Sequence, residues 1–347
     1  MNGYQRIRAA LLGEWPDATP VMLHNFMLAA KEAGITMVQY RQNPDVIARC
    51  HIEAVERYDL DGVLVDIDTA TLAGALGVPV ELPDDQPALA HGARLKALEE
   101  VDDLEPVDIA QYGRVQVWLE AVTLLSRHFR DEVFIRGNCD QCAFSLASMM
   151  RTPQEWMLDL TDPENKPRIQ RLLEHCAGAT SQFIRLMAQT GAHMVSNGDS
   201  PAGPDMISPR LYRAFALPCE KLAAECAHEQ GLPYALHICG NTNIILDDML
   251  QSGADALELD SKTDIDLVRK KLEGRATFIG NIDPNGVLAL GSPQLVETRT
   301  RQLLECFTGN PRLILNAGCA IPSTAPPENI RSMIRTARQW QGPRDPL

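Results

Sequence analysis

His237-Ile238-Cys239, joined far downstream by a second thiol at Cys319, is the set of residues in this chain best suited to chemistry. The local sequences are YALHICGN and LILNAGCAIP, each a short apolar run that ends in soft metal ligands. Two thiolates and one imidazole make a Cys2His zinc set, which leaves the fourth tetrahedral position open for water or substrate. Soft donors favour zinc over magnesium, calcium or manganese. Two thiolates already cancel the charge of the ion, so a third sulfur bound there gives up its proton yet stays electron-rich. That suits transfer of an alkyl group to sulfur better than hydrolysis, which gains from a more Lewis-acidic metal carrying water.

Positioning these ligands requires a strand end. Side chains two apart on a strand project to the same face, so His237 and Cys239 can meet one ion. Eight short apolar runs read as buried parallel strands: Pro20–His24, Gly62–Asp66, Val133–Arg136, His193–Ser196, Tyr234–His237, Ala256–Leu259, Thr277–Gly280 and Arg312–Leu315. Helical patterns over 43–59, 114–130, 164–190, 208–230, 241–252 and 326–340 separate most of them. Ser208-Pro209 and Thr152-Pro153 each place an N-cap before a proline at the first helical position.

This alternation predicts a (β/α)8 TIM barrel, an architecture that runs past about 250 residues as one unit. The whole chain, 1–347, is expected to be one barrel domain, with an N-terminal helical extension over about 1–18 and a Pro-rich acidic insertion over about 80–112. A doubly wound sheet is the rival, but no GxGxxG follows a first strand.

Every run ends in polar or metal-capable residues. They are His24-Asn25, Asp66 and Asp68, Asn138, Asn197 and Asp199, His237 and Cys239, Glu258 and Asp260, Asn281 and Asp283, and Asn316 with Cys319. Barrel strand ends converge on one mouth, where catalysis takes place. Taken singly, an Asn or Asp there is equally well explained as a turn former. Taken together, His237, Cys239 and Cys319 are not. Cys319 must cross the mouth to meet the other two, and Gly318 before it gives the loop that freedom. Glu258, at the end of the next strand, is placed as a fourth zinc ligand in the absence of substrate and as a catalytic candidate, with Asp260 as the alternative ligand. Asn197 and Asp283 are assigned to the same pocket.

Composition narrows the partners. The net charge is −14 with no long block of one sign, whereas nucleic-acid phosphates and anionic membranes need clustered Lys and Arg. No apolar stretch is as long as a membrane span. The first twenty residues lack the apolar core of a signal peptide. Nine cysteines, an odd and scattered number, do not form a secreted disulfide framework, and a reducing cytoplasm is expected. Cys139 and Cys142 form an isolated CxxC, read as buried or mouth-lining thiols. Cys50, Cys176, Cys219, Cys226 and Cys306 fall in helical stretches as small apolar residues. The acidic composition fits a monomer or a homodimer alike.

The chain resembles the uroporphyrinogen decarboxylase superfamily, and within it the zinc-dependent methylcobamide:thiol methyltransferases, of which the coenzyme M enzymes are best known. The segments that carry this are RIRAALLGEWPDATPV, GDSPAGPDMISPRLYRAFALP, LHICGNTNIILDDMLQSGADALELD, FIGNIDP and LNAGCAIPSTAPPENIRSM. HICGNT followed far downstream by GC is the specific part. The resemblance implies that His237, Cys239 and Cys319 hold zinc. It also implies that a thiol acceptor binds there and that the methyl donor is a methylcobalamin-type corrinoid on a separate corrinoid protein. By the same resemblance Asp199 lies beside the metal and orients the acceptor, and His24, Asn25, Asn138 and Asn281 line the pocket. HNFMLAAKEAG and IRGNCDQCAFSLASMM depart from the coenzyme M enzymes, so the acceptor is left open between a thiol and another acceptor such as tetrahydrofolate, in one-carbon or demethylation metabolism.

Two other readings stand beside this one. A metal-free tetrapyrrole decarboxylase fits the superfamily. Where that branch places substrate-binding arginines after the first strand, however, this chain reads PVMLHNFMLAAKEAG. A non-catalytic corrinoid- or tetrapyrrole-binding protein would bind without turnover.

Overall fold

The computed structural model describes residues 1–106 and 108–340. Residue 107, inside the expected insertion, and residues 341–347, at the end of the expected domain, lie outside the described residues. Eight parallel strands follow one another in sequence order: β1 (Met22–Leu23), β2 (Gly62–Val65), β3 (Phe134–Gln141), β4 (Met194–Gly198), β5 (Tyr234–Ile238), β6 (Ala256–Leu259), β7 (Thr277–Ile282) and β8 (Leu313–Ala317). A parallel bridge between Val21 and Leu315 brings β8 back to β1, and the molecule is a (β/α)8 barrel. β1 is shorter than the apolar run that predicts it. Pro20 has no N–H to donate, although its carbonyl still accepts from the Leu315 N–H at 2.8 Å.

Alternation along the strands sorts the interior into two levels. At the lower level Met22, Phe134, Met194, Ala235, Ala256, Ile279 and Ile314 form an apolar cluster. Ile7 and Ala10 of the first helix, Gly3–Leu12, complete it, so the N-terminal helix plugs the bottom of the barrel. Asn2 begins that helix with a capping box, and Gly13 ends it at φ 75°. Arg312, just before β8, donates to the carbonyls of Leu11 and Leu12 at 2.6 and 3.1 Å and seats the helix end. With the bottom sealed by apolar packing, polar chemistry is left to the upper level.

Helices Pro44–Tyr58, Gly113–Phe129, Lys166–Ala188, Ile265–Leu272, Pro293–Cys306 and Pro327–Gln339 contribute to the outer layer. Thr152 and Ser208 accept from the N–H groups of Glu155 and Leu211, as their spacing before proline predicts. Two helical patterns differ from their sequence reading. The run over 208–230 is interrupted by a π-helical turn at Tyr212–Ala216, before Leu217–Glu229 continues it. The run over 241–252 is helical only from Leu246, because the Thr242 amide and hydroxyl are tied to the Thr263 hydroxyl in a neighbouring loop.

The insertion lies over one side of the mouth. It contains a short antiparallel ladder, Val80–Glu81 with Leu89–Ala90. Arg41, almost fully buried, donates to the carbonyls of Pro83 (2.8 Å) and Gln86, and the Met37 N–H donates to Asp84 O at 3.0 Å. Among the described residues no helix is long and apolar enough to cross a membrane.

Candidate metal centre

Register brings the ligands together. His237 and Glu258 are direct neighbours across β5 and β6, and Cys239 follows β5 on the same face as His237. Cys319 arrives from the loop after β8. A side chain at Gly318 would place its Cβ 2.6 Å from Ser261 N and 3.1 Å from Asp260 Cα, so only glycine lets this loop lie against the loop after β6. As a result His237 Nε2 lies 3.0 Å from Cys239 Sγ, and Cys239 Sγ lies 3.6 Å from Cys319 Sγ. The three ligand atoms fall within 4.8 Å of one another, and among the described residues this is the one such group.

The set fits zinc. Two bonds of about 2.3 Å at a tetrahedral angle separate two sulfurs by about 3.8 Å, close to the spacing here. His237 Nδ1 donates to the Glu258 carbonyl at 3.0 Å, which fixes the tautomer and presents the Nε2 lone pair to the ligand cluster. The Cys239 amide donates to Ser200 Oγ at 3.3 Å. Before any metal binds, the cluster already separates charge. Hydrogen bonding with Cys319, with His237 and Ser200 adding to it, pulls the Cys239 thiol down to about 3 against burial. Burial would lower the His237 imidazolium, but Cys239 and Glu258 raise it to about 9. The shared hydrogen bond with Cys239 pushes the Cys319 thiol well up, and burial adds to it.

A cavity of about 140 Å³ opens over this cluster at the barrel mouth. His24, Asn138, Asn197, His237, Cys239, Glu258 and Cys319 all line it, as does Pro87 of the insertion. Phe26, Met27 and Leu64 supply apolar wall.

Glu258 is less free than its strand-end position suggests. Its carboxylate accepts from Arg136 Nη2 at 2.5 Å and from Asn316 Nδ2 at 2.8 Å. Burial would raise it, but Arg136 and the imidazoles of His237 and His24 hold it at about 2. It lies outside the three-ligand group. Asp260 accepts from the Gly240 and Lys262 amides, both at 3.0 Å, and so organises loops.

Four candidates lie elsewhere. Asp199 is fully buried and does not line the cavity. Its carboxylate accepts from the Ser145 amide and hydroxyl at 2.8 and 2.6 Å. Burial pushes it up to about 7 despite those bonds, and it faces the similarly raised Glu220. Its side chain therefore ties the strand end to Ser145, 54 residues earlier, and makes no capping bond in its own turn. Asn25 is buried and outside the cavity wall. Asn281 and Asp283 line a separate, open cleft. There Asn281 donates to Asp260 O, and Asp283 accepts from the amides of Asn285 and Gly286. Cys139 and Cys142 are fully buried, and burial pushes both thiols well up.

The sequence reading also missed site residues. Arg136, Asp140, Gln141 and Ser200 line the cavity with no role assigned to them. Arg136 is in phase with Asn138 on β3, and an arginine inside an apolar strand was the available signal. His24 Nε2 donates to Asp66 Oδ2 at 2.7 Å and forms the opposite wall.

The family model described as uroporphyrinogen decarboxylase (URO-D) matches residues 3–340. The methylcobamide:CoM methyltransferase MtbA of Methanosarcina mazei is 29% identical over 283 residues, which cover 81% of this chain and 80% of that protein. The uroporphyrinogen decarboxylase of Streptomyces coelicolor is 26% identical over 320 residues, covering 87% and 83%. Among solved structures, a methyltransferase from Methanosarcina mazei superposes with a TM-score of 0.88 at 24% identity, covering 97% of this chain and 98% of that one.

Proposed function

The chain belongs to the uroporphyrinogen decarboxylase family, and from that premise we propose that it is a zinc-dependent methyltransferase. It moves a methyl group between a methylated corrinoid on a separate corrinoid protein and a zinc-activated thiol, or another acceptor such as tetrahydrofolate. Demethylation or one-carbon metabolism in the cytoplasm is the proposed setting. The observation that carries this reading is the convergence of His237, Cys239 and Cys319 within 4.8 Å in a cavity at the barrel mouth. The methylcobamide:CoM methyltransferases among the relatives support the choice of donor.

Zinc held by these three side chains supplies a site at which an incoming thiol loses its proton near neutral pH. The rest is the work of the protein. Glu258 orients His237 through its carbonyl while its carboxylate ties Arg136 and Asn316 into the cavity floor. Ser200 holds the Cys239 amide. Phe26, Met27 and Leu64 keep water from the acceptor sulfur, which preserves its nucleophilicity. With a methylated corrinoid docked at the mouth, these residues would hold the acceptor sulfur toward its methyl group; an S–C bond would form as the Co–C bond broke, its electron pair going to cobalt.

The deciding experiment follows loss of the methylcobalamin spectrum with purified, zinc-loaded protein and a panel of coenzyme M, homocysteine and tetrahydrofolate. Acceptor-dependent demethylation is expected. Loss of carboxyl groups from uroporphyrinogen, with methylcobalamin left intact, would overturn the proposal in favour of the decarboxylase.

A further inference from the structure

Asp140 is the acid on the cavity wall that has no basic partner. The ladder between β3 and β4 shifts register between Asn138 and Gln141, and Asp140 sits in that irregularity at φ 59°. A left-handed backbone is uncommon at a residue with a side chain, and Asp and Asn are the usual exceptions. Asp140 is fully buried and lines the cavity. Its Oδ2 accepts from the Leu72 amide at 2.7 Å, while its Oδ1 has no partner in the protein.

The basic groups around it are already engaged. Arg136 is paired with Glu258, His24 donates to Asp66, and Arg114 behind the wall faces Asp68 at 3.3 Å. Arg136 keeps Nη1 unbonded, but Glu258 balances its charge. Burial, reinforced by Asp68 and Asp66, pushes the Asp140 carboxyl well above the usual range, so a proton rests there until a better base arrives. A sulfonate or carboxylate placed on this wall would face the carboxylates of Asp66 and Glu258 with no uncommitted cation.

We infer that Asp140 is a specificity-determining residue that receives the amino group of a small aminothiol acceptor whose sulfur sits at the His237/Cys239/Cys319 site. The amine enters as its free base and takes the proton from Asp140. An ammonium–carboxylate pair then closes the open Oδ1 valence, with the Asn138 and Gln141 side chains on the same wall. This inference rests on the metal reading above.

The test uses the full chain loaded with Co(II) in place of zinc. Three two-carbon thiols that differ only in their tail are titrated: cysteamine, 2-mercaptoethanol and 2-mercaptoethanesulfonate. Binding is read from the growth of sulfur-to-cobalt charge-transfer absorption. Cysteamine is expected to bind at least about tenfold more tightly than the other two, the scale of one charge-assisted hydrogen bond. Asp140→Asn, which tolerates the same backbone, is expected to remove the preference while leaving cobalt content unchanged. The inference is overturned if the sulfonate binds as well as the amine. It is also overturned if the amine preference survives in Asp140→Asn, because that marks simple chelation. If no thiol changes the spectrum, the metal–thiol reading itself fails and takes this one with it.

Discussion

Arg136 Nη2 lies 2.5 Å from Glu258 Oε2, a buried charge pair that joins β3 to β6 across the barrel interior. Each side chain is only 2% exposed, so neither charge has water to fall back on. Arg136 Nε donates to Ser196 Oγ at 2.9 Å, and Ser196 in turn donates to Asn138 Oδ1 at 3.3 Å. Through the Glu258 carbonyl the same network sets the His237 ring. The His237/Cys239/Cys319 cluster and the opposite wall therefore share one hydrogen-bonded floor.

Removing one partner of that pair strands the other. Glu258→Ala is expected to cost about 3–5 kcal/mol, the scale for an uncompensated buried charge, measured by urea denaturation. Glu258→Gln keeps the shape and should cost less. Because Glu258 lies outside the three-ligand group, Glu258→Gln should also retain its zinc. Loss of the metal in that variant would make Glu258 a ligand after all.

Cys239→Ala and Cys319→Ala each remove one of three donors. In the double variant zinc, measured by atomic emission, is expected to fall to background while the far-ultraviolet circular dichroism stays that of the wild type. Undiminished zinc would refute the site assignment.

Gly318→Ala tests the approach of the last loop. The added methyl meets backbone atoms of Ser261 and Asp260, which cannot rotate away, so the loop must lift and carry Cys319 with it. Zinc affinity, from chelator competition, is expected to drop by at least about tenfold, the scale seen when the shell around a metal is disturbed. Equal affinity would show that the loop has slack.

His51 supplies a pH dependence away from the metal. It is fully buried behind the cavity wall beside Tyr40, 2.9 Å from the hydroxyl. Burial pulls its pKa down to about 4, against the opposing pull of Asp66. Unfolding releases it to about 6.5, so between these values the unfolded chain binds the extra proton. Its contribution is full above about pH 6.5 and is lost as pH falls toward 4, in total about 3 kcal/mol. Denaturation curves across this window should show the slope, and His51→Asn should flatten it.

Several features were legible without coordinates. Eight apolar runs separated for the most part by helical patterns specify a barrel because parallel strands buried on both faces leave that local signature. His237 and Cys239 could be paired from spacing alone because strand periodicity is local, and the Ser208 and Thr152 caps are equally local. What only the tertiary structure decided depends on contacts between distant segments. Gly318 marks Cys319 as able to cross the mouth, but that its loop lies against Asp260 and Ser261 is set by packing. Glu258 is drawn away from a free ligand position by Arg136, 122 residues earlier. Asp199, Asn281 and Asp283 stand at strand ends like their neighbours, yet hydrogen bonds to Ser145, Asp260 and the Asn285–Gly286 amides draw them into structure instead of the cavity. Asp140, unremarkable between two cysteines in sequence, becomes the acid without a base only once the barrel closes. Periodicity determines which face a side chain takes, but charge partners are set by packing across the barrel, and sequence spacing carries no record of them.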